Sequence, residues 1–203
     1  MEAHAHARDD LPPLVLGSGS PHRRVLLERL GLPFIQDTPG IEERIAPGET
    51  PAEAVMRLAR AKAGRVLERH PEAVVIGSDQ VAVRGEEVLG KPGDTAEAVA
   101  QLTRSAGRQV EFLTGVCVLS GAHPEAPQEH MDITRVVFRP LGAEEIISYV
   151  QREQPLDSAG SFRVEGLGIA LFERIDSQDP TGLVGLPLIW LAQALRRFGL
   201  PVL

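Results

Sequence analysis

Leu14-Val15-Leu16-Gly17-Ser18-Gly19-Ser20-Pro21-His22-Arg23-Arg24 runs on through Val25-Leu26-Leu27-Glu28-Arg29-Leu30 to a closing Gly31. The apolar run reads as a short strand, the small polar residues after it as a tight turn, and the amphipathic stretch as a helix. Ser20 suits the N-cap, and Pro21 stands at the first helical position, where its missing N–H costs nothing. Free backbone N–H groups, the positive end of the helix dipole and the paired guanidiniums of Arg23 and Arg24 together suit a polyphosphate.

The same alternation continues along the chain. Phe34-Ile35 leads into a turn-rich acidic stretch from Asp37 to Glu49. Thr50-Pro51-Ala52-Glu53 is a capping box that opens a helix with Ala54, Val55, Leu58, Ala61, Val66 and Leu67 at its apolar positions, ending near His70-Pro71. Ala73-Val74-Val75-Ile76 reads as a buried strand that delivers the chain to Gly77-Ser78-Asp79-Gln80. A hairpin is expected from Val81-Ala82-Val83 to Val88-Leu89, and Asp94-Thr95-Ala96-Glu97 is a second capping box for a helix through Leu102. Longer strands are expected from Val110 to Leu119 and from Ile133 to Phe138, joined by the polar loop Gly121–Glu129. A short helix at Glu144–Val150, a strand at Ile169–Ile175 and a closing helix at Pro187–Phe198 complete the series. The order is not a strict βα repeat, which predicts an α/β fold with a mixed central sheet flanked by helices. Residues 13–203 read as a single domain without internal repeat or linker, after a disordered extension at 1–12.

With 203 residues, 43% hydrophobic and 24% charged, the chain has the composition of an ordinary globular protein. A net charge of −7 argues against a protein that coats nucleic acid, though it permits a local basic pocket. Cys117 is the single cysteine, so no internal disulfide can form, and its apolar neighbours mark it as a buried structural thiol. No apolar stretch approaches the roughly 20 residues needed to cross a bilayer. The polar N-terminal segment lacks the apolar core of a signal peptide, and cytoplasmic residence is the expectation. His4 and His6 in that segment are spaced like a metal tag, with a disordered tail as the favoured reading. Trp190, on the closing helix, is expected in the core.

Two phosphate signatures nearly match and fail. Gly17-Ser18-Gly19-Ser20-Pro21-His22 has the context of a dinucleotide-binding fingerprint, but His22 replaces its third glycine. Gly85-Glu86-Glu87-Val88-Leu89-Gly90-Lys91 begins like a P-loop, yet Pro92 follows, with neither a metal-binding hydroxyl nor an N–H. What remains is a set of charges at element ends: Arg23, Arg24, Glu42, Glu43, Lys62, Asp79, Lys91, Arg163 and Glu165. Asp79, at the end of an apolar strand after two small residues, is placed to face a cleft where a metal or water can approach; a turn-forming or capping aspartate reads the residues equally well. Arg23, Arg24 and Lys62 have a solvated helix face as their plain alternative, and Glu42 and Glu43 an ordinary loop.

Together the pieces resemble a known family. Ser18-Gly19-Ser20-Pro21-His22-Arg23-Arg24, Leu58-Ala59-Arg60-Ala61-Lys62-Ala63, Gly77-Ser78-Asp79-Gln80-Val81 and Gly90-Lys91-Pro92 are similar to motifs of the Maf-like nucleoside triphosphate pyrophosphatases. So are Ala159-Gly160-Ser161-Phe162, Glu165-Gly166-Leu167-Gly168-Ile169 and Leu183-Val184-Gly185-Leu186-Pro187-Leu188. The resemblance implies a Maf/inosine-triphosphatase-like fold with two lobes around a nucleotide cleft, and a homodimer; the net charge and the lack of a long apolar stretch lead to the expectation of no nucleic-acid or membrane partner. The resemblance further implies hydrolysis between the α and β phosphates with a divalent cation, Mg2+, Mn2+ or Co2+, as cofactor. On that basis Asp79, Lys62, Lys91 and Arg23 are the expected catalytic residues, and Glu43 with Asp79 the expected metal ligands. Ser18, Ser20, His22, Arg24, Gln80, Arg163 and Glu165 are the expected substrate contacts. Gln80 and the Glu165-Gly166 pair resemble the branch that prefers 7-methyl-GTP, and a carboxylate at 165 can pair with the cationic methylated ring. His22 departs from the Trp common in that branch. Activity on dTTP or UTP is the alternative within the family. A non-catalytic regulator of septum formation is the alternative outside enzymes, which retention of Asp79 with the basic set disfavours.

Overall fold

The computed structural model describes residues 11–203, so all but the last two residues of the expected extension, including His4 and His6, lie outside the described residues. β1 (Leu14–Gly17) is buried at all four positions, and α1 (Pro21–Glu28) follows after three residues. Ser20 caps α1 as expected: its hydroxyl oxygen accepts the Arg23 N–H at 3.3 Å. β2 (Ile35–Gln36) lies parallel to β1, and α2 (Pro51–Leu67) begins at the capping box of Thr50 and Glu53, with both reciprocal hydrogen bonds present. The 11-residue β3 (Val74–Arg84) pairs parallel with β1 and turns at Gly85 into the antiparallel β4 (Glu87–Leu89). α3 (Thr95–Ser105) is capped by Asp94 and extends a turn past Leu102. β5 (Gln109–Ser120), β6 (Gln128–Phe138), α4 (Ala143–Glu153), β7 (Phe172–Asp176) and α5 (Leu188–Arg197) complete the series. The strands form a mixed sheet of seven in the order β2-β1-β3-β5-β6-β7, with β4 on β3, the mixed α/β class expected from the sequence.

The chain divides into two compact units. The first comprises residues 11–79, 115–131 and 185–203 of the described chain, and the second residues 80–114 and 132–184. Each has its own core. In the first, Val15, Ala59, Ala63, Val66, Val75 and Cys117 pack together, all at most 2% exposed. In the second, Phe112, Phe138 and Phe172 surround Phe162 edge to face, with centroid distances of 4.8–5.8 Å. Burial pushes the Cys117 thiol up to about 12, so it is the inert structural cysteine expected.

Four expectations are corrected. The runs Ala73-Val74-Val75-Ile76 and Val81-Ala82-Val83 belong to one strand, β3, so Asp79 lies within a strand rather than at the end of one. The run Leu167–Leu171 is a 3₁₀ segment, and strand pairing begins only at Phe172. A continuous apolar run does not distinguish the two, and here the Gly168 N–H turns back to the Arg163 carbonyl at 3.0 Å. β6 starts at Gln128 rather than Ile133, because its first residues are polar and carry no apolar alternation. Trp190 is only half-buried and stacks on His130, with ring centroids 5.1 Å apart and planes 13° from parallel. No helix among the described residues is long and apolar enough to cross a membrane.

Candidate active site

The charged centre of the first unit depends on how closely α2 lies against β3. A Cβ at Gly77 would stand 2.2 Å from the Ala59 carbonyl oxygen and 2.6 Å from the Ala63 nitrogen, so only glycine admits this approach. Lys62, on the same face of α2, thereby reaches Asp79, two residues beyond Gly77. Its Nζ donates to Asp79 Oδ1 at 2.7 Å and pairs with Glu43 Oε2 at 2.8 Å. The Lys62 side chain is 4% exposed, that of Asp79 11% and that of Glu43 52%, so a deeply buried ion pair opens outward through the glutamate.

The turn before α1 supplies a second cation. Arg23 Nε donates to the Gly185 carbonyl at 2.9 Å, and Nη1 donates to Ser18 Oγ at 3.3 Å. Ser78 Oγ donates to the same Gly185 oxygen at 2.9 Å, so Arg23 is anchored next to the residue that precedes Asp79. Gln36, on β2, donates to the carbonyls of Ser18 at 2.6 Å and Ser20 at 3.3 Å and fixes the turn from beneath. Ser18 Oγ also accepts the Ser20 N–H at 3.2 Å.

These groups shift one another. Burial raises the Asp79 pKa above the ordinary carboxylate value; the Lys62 charge and hydrogen bond and the Arg23 charge oppose it, while Glu43 adds to it. Burial lowers the Arg23 pKa, against the pull of Asp79 and Glu43. Arg23 stays cationic regardless, since guanidinium is not deprotonated in proteins. The arrangement offers a buried carboxylate of raised basicity, paired with Lys62 and within reach of the Arg23 charge, a setting suited to taking a proton beside a polyanion.

Glu43 and Asp79 also bear on the expected cation. Their carboxylates converge on one point, where the Lys62 ammonium stands within 2.8 Å of both. Among the described residues no cluster of three or more His, Cys, Asp or Glu is arranged to hold a metal. Two carboxylates fit a magnesium-like ion, which takes oxygen ligands, keeps several waters and completes its shell from substrate phosphates. They do not make a preformed all-protein cage.

The remaining expected residues are distributed differently. Arg24 is exposed and pairs with Glu28 one turn on, at 3.0 Å, so the structure does not bring it to Lys62 and Asp79. The Ser20 oxygen serves α1 as its cap, and His22 is half-buried at the second position of that helix. Lys91, Gln80, Arg163 and Glu165 belong to the second unit. Lys91 is exposed on the loop after β4. Gln80 Nε2 donates to Thr114 Oγ1 at 2.8 Å and to the Gly182 and Leu183 carbonyls at 3.0 and 3.2 Å, which ties it to its own unit. Arg163 is held by Asp157 at 2.6 Å and the Glu153 carbonyl at 3.3 Å, with its Nε buried and unpartnered. Glu165 is exposed on the turn whose Leu167 N–H donates to Glu153 at 2.8 Å. Sequence reasoning missed Gln36 and the Gly185 carbonyl as supports of the turn and of Arg23. No side-chain chemistry marks a backbone carbonyl, and Gln36 lies on a strand of only two residues.

Comparison with known proteins identifies the family. The Maf-like protein family model matches residues 13–198. The chain is 51% identical over 187 residues to a 7-methyl-GTP pyrophosphatase of Chromohalobacter salexigens, covering 92% of this chain and 96% of that one. It is 50% identical over 191 residues to a 7-methyl-GTP pyrophosphatase of Ralstonia nicotianae, covering 94% and 98%. Among solved structures, a HAM1 protein from Coxiella burnetii matches with a TM-score of 0.50 at 16% identity, covering 92% of this chain and all of that one, a likeness of fold alone. A family match over nearly every described residue, with relatives at about half identity along almost the whole chain, places this protein in the Maf-like family.

Proposed function

We propose that this protein is a nucleoside triphosphate pyrophosphatase that hydrolyses 7-methyl-GTP, or a related modified nucleotide, to the monophosphate and pyrophosphate. The observation that carries the proposal is the buried Lys62–Asp79 pair, with Glu43 on its open side and Arg23 anchored nearby. The name shared by the relatives at about half identity supports the substrate. In this reading Asp79 orients a water and takes its proton as the oxygen attacks phosphorus at the α–β anhydride. The bridging bond then breaks, and pyrophosphate leaves with the bridging oxygen. Lys62 and Arg23 hold the charge that develops on the leaving group, with Lys91 as a further cation. Glu43 and Asp79 would hold Mg2+, Mn2+ or Co2+, which when bound neutralises the triphosphate and polarises its phosphorus–oxygen bonds. Clearing non-standard nucleotides in the cytoplasm, as a homodimer, is the cellular role that follows from the family resemblance.

The test is pyrophosphate release from 7-methyl-GTP, GTP, UTP and dTTP with each of the three cations. Equimolar monophosphate and pyrophosphate, formed fastest from 7-methyl-GTP, is the expected result. Tight triphosphate binding without turnover would overturn the enzyme assignment, and preference for UTP or dTTP would move the protein to the other branch.

A further inference from the structure

Glu43 sits in a stretch, residues 37–50, that contains no helix or strand. A carboxylate there keeps a fixed position only if the segment is tied down: Arg69 and His70 hold its start at Asp37 and Thr38, and the ties after Glu43 converge on Arg57. Pro47-Gly48 turns the chain, with Gly48 at φ +81° and the Glu49 N–H donating to the Ala46 carbonyl at 3.0 Å, the pattern of a type II turn. Glu49 closes the turn a second time by accepting the Ala46 N–H on Oε2 at 2.9 Å. Arg57 then grips that carboxylate with both prongs, Nε to Oε1 at 2.6 Å and Nη2 to Oε2 at 2.7 Å. The same Nη2 donates to the carbonyl of Arg44, the residue after Glu43, at 2.8 Å. Two-pronged arginine–carboxylate pairs fix geometry as well as adding energy. The Glu49 carboxyl is held down to about 2, first by Arg57 and then by the Ala46 N–H, so the clasp stays ionised at any working pH. Arg57 and Lys62 are both on α2, so one helix carries the clasp and the ammonium that Glu43 meets.

We propose that Arg57 is a positioning residue for divalent-cation binding: through Glu49 and the Arg44 carbonyl it sets Glu43 beside Lys62 and Asp79. The proposal rests on the reading of Glu43 as a metal ligand. In this reading Arg57 acts through Glu49 and the Arg44 carbonyl and is not itself a ligand.

The experiment follows Mn2+ binding by electron paramagnetic resonance, with a non-hydrolysable α,β-methylene triphosphate present, alongside amide hydrogen exchange over residues 41–49. Arg57→Ala is expected to weaken Mn2+ by about tenfold or more, the usual consequence of losing a group that orients a ligand, and to speed exchange at Ala46 and Glu49. Glu43→Gln is expected to weaken Mn2+ without changing that exchange. The double variant is expected to bind no more weakly than Glu43→Gln alone, because both changes remove the same contact. Arg57→Lys keeps the charge but loses the fork and should fall between. Retained binding of the triphosphate analogue shows that each variant is folded. Unchanged Mn2+ affinity in Arg57→Ala, or additive losses in the double variant, would overturn the proposal. Unchanged affinity in Glu43→Gln would instead remove the ligand reading on which it stands.

Discussion

Lys62 is tolerated at 4% exposure because Asp79 and Glu43 sit on its ammonium; an unpaired ammonium at that depth would bear the full cost of desolvation. The pair also offsets part of the cost of burying Asp79. Desolvation raises its pKa, and Lys62 followed by Arg23 pulls it back. Removing the lysine should therefore raise the Asp79 pKa further. Carboxyl carbon titration of the metal-free protein by NMR checks this: Asp79 should titrate above the ordinary value of about 4, and Lys62→Met should move it higher. A downward shift in that variant would mean that the lysine is not the main counter-charge. In turnover, Asp79→Asn should lose about 10²–10⁴-fold in kcat, the usual worth of a general base, while triphosphate binding persists; equal losses in both would make Asp79 a binding group. Asp79 stands out in the sequence because a carboxylate follows closely on the apolar run Ala73-Val74-Val75-Ile76, but its residues read equally well as a turn, and β3 in fact continues through it to Arg84. Lys62, the one lysine of α2, stands four residues after Leu58 and four before Val66 on the helix's apolar face. The expected stripe runs through Ala61 instead, and only the family resemblance singles the lysine out.

Helix α2 and strand β3 form the frame on which that chemistry depends. Their separation is set at Gly77, where a methyl group would collide with the backbone of Ala59 and Ala63. Backbone cannot move aside as a flexible side chain does, so Gly77→Ala should force α2 outward and carry Lys62 away from Asp79. Overpacking of this kind costs about 1–3 kcal/mol, or roughly 2–10 °C in a protein of this size. Thermal unfolding and turnover measured together test it; a variant with the wild-type midpoint and full activity would show that the spacing is not fixed there. The start of α2 was legible because Thr50, Pro51 and Glu53 each have a distinct local reason to stand at a helix N-terminus. Its depth against β3 was not, because a glycine required by a neighbour looks like a glycine required by a turn. The 3₁₀ segment at Leu167–Leu171 escaped for a related reason: an apolar run reports burial, and its path was decided by a hydrogen bond back to Arg163.

The chain passes between its two units at Asp79–Gln80, Thr114–Gly115, Met131–Asp132 and Val184–Gly185, and two of these passages carry motif residues. On one side, Ser78 and Arg23 both donate to the Gly185 carbonyl; on the other, Gln80 donates to Thr114, Gly182 and Leu183. Hydrogen bonding within each unit thus gives Ser78, Gln80, Leu183 and Gly185, uncharged residues of Gly77-Ser78-Asp79-Gln80 and Leu183-Val184-Gly185, a structural task at these passages. The ion pair of Lys62 and Asp79, with Arg23 and Glu43, lies in the first unit, whereas Glu165 lies in the second. If Glu165 chooses the base, substitutions in the two units should have different signatures. Changes at Arg23 or Lys62 should lower kcat/KM for every triphosphate alike, because each carries the same phosphates. Glu165→Gln keeps the shape and one acceptor of the side chain but removes the charge that would pair with a cationic methylated guanine. Losing a charged hydrogen bond costs about 1.5–3 kcal/mol, so kcat/KM for 7-methyl-GTP should fall by roughly 10–100-fold while that for UTP changes little. The ratio of the two, measured in one competition assay, isolates base choice from any change in the amount of active protein. An equal fall for both nucleotides would take base selection away from Glu165 and leave its exposed turn, held by Glu153 through the Leu167 N–H, with a structural task only.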